Sequence, residues 1–151
     1  MNIKGQESAT FEFLVVAIMG LFIMVIMLSI VNYFTDLRFQ ASEQRFNDAL
    51  HSAVSSPNGE AIIAKNIILQ PGKISSESLA EKANIPSSCV EIDAIDLVAF
   101  KLSPDNTVLS VERSVETTVY LKCVLGPEYG SGTDCEESCI ASFGKEFSPR
   151  T

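Results

Sequence analysis

The residues of this chain best suited to chemistry are four cysteines, Cys89, Cys123, Cys135 and Cys139. Thiols in this number hold a metal, exchange electrons or close disulfides. Zinc sites favour a C-x-x-C spacing backed by histidine. Here Cys135 and Cys139 have three residues between them, and the sole histidine, His51, lies far upstream. The same spacing argues against a thioredoxin-like redox pair. An even number of cysteines, all on one side of a long apolar run, points to two disulfides in an oxidising compartment. Four cysteines admit three pairings. The rest of the reactive inventory is thin. There is no Gly-rich phosphate loop, no H-E-x-x-H and no G-x-S-x-G. Ser131, Thr133 and Asp134 fall in a Gly/Ser-rich stretch where turn-making accounts for them. Asp93 and Asp96 are two acids in an apolar stretch, which is not a mechanism. His51 reads as a polar-face or interface residue of a helix. The sequence predicts no catalytic residue, no metal ligand and no cofactor.

Charge narrows the partners. Nineteen acidic residues against eleven basic ones leave a net charge of −8. Such a surface repels phosphate backbones, which excludes nucleic acid as a natural partner. The acidity is that of a solvated outer domain. No N-x-[ST] sequon occurs.

The elements that must position the cysteines begin with Phe13–Val31, nineteen residues without a charge. As a helix this run spans about 28 Å, close to the hydrocarbon thickness of a bilayer. It has no polar face, unlike an amphipathic helix lying on a soluble core. Downstream, Phe34, Leu37, Ala41, Phe46, Ala49, Leu50 and Ala53 recur at helical spacings, and Pro57-Asn58-Gly59 supplies a stop. One continuous helix from about Thr10 to Ser55 follows, roughly 65–70 Å long.

Beyond the stop, Ala61–Leu69 reads as a strand and Ser75-Ser76 as the cap of a short helix closed by Pro86. Val90–Leu102 predicts a covered strand and Val108–Leu125 an alternating one, joined by a turn at Ser103-Pro104-Asp105-Asn106. Pairing across that turn sets Cys89 beside Cys123 and leaves Cys135 to bridge Cys139 within a loop. The first bridge would contribute about 4 kcal/mol on the chain-entropy estimate. The expected fold class is α+β: a long N-terminal helix packed on a small antiparallel β domain with disulfides.

The segment before the apolar run carries a further motif. Lys4-Gly5-Gln6, then Ser8, then Glu12-Phe13 precede the hydrophobic stretch, and no A-x-A-like site follows it. This order resembles the class III signal peptides of archaeal type IV pilin-like proteins. The resemblance covers residues 4 to about 34. It implies cleavage between Gly5 and Gln6 by a prepilin peptidase, with the hydrophobic segment retained. It also implies assembly with other pilin subunits through Glu12, Phe13 and the helix behind them. Glu12 stands two residues beyond the family's usual glutamate position, where this chain has Thr10. That is a rotation of about 200°.

The expected organisation is a leader at 1–5, a helix at 6–56 crossing the lipid bilayer at 13–31, and a β-rich extracytoplasmic domain at 57–151. The expected function is that of a filament subunit at the cell surface, of major or minor rank. The rival expectation is an uncleaved single-pass protein that displays the outer domain for binding or adhesion.

Overall fold

The structure is a computed structural model describing residues 6–95 and 98–147, with the side chains of the first helix described from Thr10 onward. Two compact units divide the chain, Met1–Arg38 and Phe39–Thr151.

Helix α1 runs Gln6–Ser55 without a break. In the first unit every described side chain, Thr10 to Arg38, is exposed. Its most apolar window has a mean hydropathy of 3.1, so α1 is long and apolar enough to cross a membrane. The hydroxyls of Ser29 and Thr35 donate to the carbonyls of Val25 and Val31 at 2.9 Å. Each polar group is thereby satisfied within the helix, as a lipid-facing segment requires.

In the second unit the buried face of α1 is Ser42, Phe46, Leu50 and Ala53. The sequence expectation of Ala41 on this face is corrected: Ala41 is exposed and Ser42 is buried. Steps of four, four and three keep the 3.6-residue period, whereas the step of five from Ala41 to Phe46 does not.

This face packs with a four-stranded sheet, and the domain holds a second sheet of three strands. The strands are β1 Ile62–Leu69, β2 Gly72–Ser75, β3 Val90–Ala94, β4 Phe100–Leu102, β5 Val108–Val111, β6 Val115–Leu125 and β7 Glu137–Phe143; α2 is Ser76–Ala83. The sheet orders are β1-β6-β7-β3 and β2-β5-β4. All pairings are antiparallel except β3 with β7. The fold is α+β, as the sequence predicts. The core gathers Phe46 and Leu50 of α1, Leu79 of α2, Leu109 of β5, Leu121 of β6 and Phe143 of β7. Phe46 stacks on Phe143 with ring centroids 6.4 Å apart.

Local sequence explains several details. Ser75 caps α2, its Oγ accepting from Ser78 N at 3.1 Å. Asn84 closes α2 in the left-handed region, which asparagine tolerates. In β1 the inward residues Ala64 and Ile67 are three apart, so a regular strand would point them to opposite faces. A bulge between them, with Asn66 at φ 57°, restores the phase and brings both to the core.

Four expectations are corrected. Val90–Leu102 is two strands in different sheets, because the chain turns at Val98-Ala99. Val108–Leu125 is also two strands, bent between Glu112 and Ser114, where Glu112 N donates to Ala99 O at 3.0 Å. The turn at residues 103–106 does close a hairpin, but a short one of β4 and β5. The stretch placed wholly in a loop ends in β7, the strand between β6 and β3.

The cysteine pairing changes with them. The disulfides are Cys89–Cys135 and Cys123–Cys139, not Cys89–Cys123 and Cys135–Cys139. Because β6 lies beside β7 and not beside β3, Cys123 faces Cys139 directly across the ladder. Their Cα atoms are 4.1 Å apart.

Candidate functional site

The residues expected to serve assembly lie in the first unit. Lys4 and Gly5, at the expected processing site, fall outside the described residues; Gln6 is the first residue of α1. Glu12 and Phe13 are both exposed, Phe13 at 78%. Glu12 makes no ion pair among the described residues. Twenty large apolar side chains from Phe11 to Leu37 are exposed. The second unit exposes only Ile63, Val98 and Leu125 among its described residues. Soluble surfaces rarely present an unbroken apolar patch of more than a few hundred Å². The first unit exceeds that limit, and α1 is long and apolar enough to cross a membrane.

The disulfides organise the far side of the domain. Cys89 ends a short 3-10 turn, and its bond to Cys135 ties the loop after β6 to the start of β3. Ser88 O accepts from Ser131 N and Gly132 N at 2.8 and 2.9 Å. A Cβ on Gly130, which has φ +81°, would run into that same carbonyl. From the β7 side, the buried Ser138 Oγ donates to Gly126 O at 2.6 Å and accepts from Glu128 N and Tyr129 N. Val124, Tyr129 and Ile140 form a small second core beneath this loop. Ser131, Thr133 and Asp134 sit exposed on it, as turn residues do. Both faces of β7 are thus covered, one by the main core and one by the loop.

Asp93 is a surface ion-pair partner, its Oδ2 3.3 Å from Lys145 Nζ. Such pairs contribute at most about 1 kcal/mol. Asp96 lies outside the described residues.

Residues to which the sequence reading gave no binding role line a cavity of about 280 Å³ between α1, β1, β2 and α2. Its walls are apolar, chiefly Phe39, Phe46, Leu69, Ile74, Leu79 and Phe143. Glu43, Lys73 and Lys82 also line it. Lys82 Nζ lies 3.2 Å from Glu43 Oε1, with both side chains about half exposed. Lys82 also lines a second space of about 220 Å³ with Asn47, Leu50 and His51. His51 stands at an exposed position of α1 beside this space. The only sequence signal for the cavity is the step Phe39, Ser42/Glu43, Phe46 on one helix face. Nothing in the sequence brings α2 opposite it.

No protein-family model, no curated protein and no solved structure matches this chain.

Proposed function

We propose that the chain is a pilin-like filament subunit that is inserted in the membrane by α1 and assembles through it once a prepilin peptidase has cut between Gly5 and Gln6. The observation that carries this reading is the nineteen-residue uncharged run within an unbroken α1 whose side chains are exposed from Thr10 to Arg38, joined to a domain with two disulfides. A helix that is apolar all round is rewarded equally in lipid and among identical helices. That lets one surface serve storage in the bilayer and burial in a filament core. Gly20, an exposed position without a Cβ, supports close helix approach. Glu12, at the edge of the apolar run, would be costly in lipid unless it met a cation. The freed amine of a neighbour's Gln6 offers one. The two disulfides support an extracytoplasmic location for the domain.

A second reading has its own support. The cavity beside Lys82 is nearly of ligand-pocket size, which favours an uncleaved, membrane-anchored binding module. Intact mass and N-terminal sequencing of the protein from native membranes, without reductant, separate the two. A chain beginning at Gln6 supports the processed subunit. A chain beginning at Met1 overturns processing and leaves the anchored module.

A further inference from the structure

We propose that the cavity between α1 and α2 binds a single-tailed anionic lipid with a hydroxylated head, of the monoacyl glycerophosphate class. This inference is independent of leader cleavage and filament assembly. The tail would lie against Phe39, Phe46 and Ile74, over a floor of the buried Leu79 and Phe143, in a space of about 280 Å³. That volume stands at the lower end of ligand pockets, about 300–1,000 Å³. It suits one tail and not two.

The head is specified by what surrounds Lys82. This lysine borders both the apolar cavity and the second space of about 220 Å³. Lys73, exposed and without an ion pair among the described residues, adds a second cation to the cavity lining. The second space is lined by Asn47, whose buried Oδ1 has no hydrogen-bond partner among the described residues. An unpaired buried acceptor costs about 1–3 kcal/mol, so a donor delivered there is favoured. A phosphate held by Lys82 and Lys73, with a hydroxyl toward Asn47, would give Lys73 and the Asn47 acceptor a partner and Lys82 a second one. The chain's net charge of −8 opposes general adsorption of anions. Capture must therefore come from this local pair of lysines. Glu43 competes for Lys82 through the existing ion pair, which gives the site a built-in restraint.

The test is photolabelling of the full chain in zwitterionic nanodiscs with a diazirine-bearing monoacyl glycerophosphate. The matching diazirine monoacylglycerol, with the same tail and hydroxyls but no charge, is the control. Adducts are mapped by peptide mass spectrometry. We expect adducts on peptides covering residues 39–46 and 67–82, about tenfold fewer with the uncharged control, the loss expected for one charged hydrogen bond. Lys82→Met should reduce them to a similar degree, Glu43→Gln should raise them, and Ser78→Trp, at the cavity lining, should abolish them. An intact mass four hydrogens below the reduced form certifies that each variant keeps both disulfides. Adducts confined to residues 10–38, equal labelling by the uncharged control, or labelling unchanged in both Lys82→Met and Ser78→Trp would overturn the proposal.

Discussion

Ser42 Oγ accepts a hydrogen bond from Ile68 N at 2.6 Å and lies 3.4 Å from Ile68 O. Ser42 is on α1 and Ile68 on β1, the edge strand of the larger sheet. In an antiparallel ladder the N–H and C=O of one residue point to the same side. With both turned to Ser42, Ile68 has its free edge closed by the helix. One hydroxyl thus keys α1 to the sheet and shields part of an exposed edge.

Ser42→Ala should therefore destabilise the domain by about 1–3 kcal/mol, the cost of leaving the Ile68 N–H buried without a partner. The mirror change, Ala41→Ser, falls on an exposed position and should stay within about 0.5 kcal/mol. Denaturant midpoints of the two variants in the same detergent make the comparison. Equal midpoints would remove the key from the account.

The bulge in β1 predicts a sharp residue preference at position 66. Asn66→Gly should be tolerated, because glycine accepts φ 57° without strain. Asn66→Val should cost at least about 1–2 kcal/mol, since a β-branched residue is poorly accommodated in the left-handed region. If both variants melt together, the bulge is not set by this backbone conformation.

Peptide mapping without reductant should recover Cys89 linked to Cys135 and Cys123 linked to Cys139. Removing the first pair, which spans 46 residues, should cost about 4 kcal/mol, and removing the second, which spans 16, about 3 kcal/mol on the chain-entropy estimate. Recovery of a peptide linking Cys135 to Cys139 would contradict the β6–β7 register.

Gly130→Ala should loosen the loop after β6, since the added Cβ collides with Ser88 O at a backbone angle that alanine resists. Faster amide exchange at Ser131 and Gly132, with the exchange of β1 unchanged, is the expected result. Unaltered exchange at those two amides would show that the loop has another way to close.

The apolar run predicts a membrane consequence as well. Val25→Arg places a charge near its centre and should raise the insertion free energy by about 3 kcal/mol. Leu125→Arg, on an exposed apolar residue of the domain, should leave insertion unchanged. A translocation assay reads both.

Much of this molecule is local physics and was legible from the residues alone. Phe13–Val31 without a charge, and Pro57 after Ser55, determine a long helix with an apolar half, because periodicity and helix stops act within a few turns. The cap at Ser75 and the turn at Ser103–Asn106 are likewise local, as is the existence of two disulfides. Tertiary structure alone decided where strands part company. Alternation from Leu109 to Leu121 continues through the bend at Glu112, so its period is blind to a change of sheet. Strand β7 has small residues at four of the five positions Ser138 to Ser142, Ile140 being the exception, and their burial on both faces comes from the elements packed over them. Cysteine pairing followed from that strand order, and so did the meeting of Glu43 with Lys82, 39 residues apart. Contacts between distant segments depend on how the sheets are threaded, and threading is settled by the packing of the whole core.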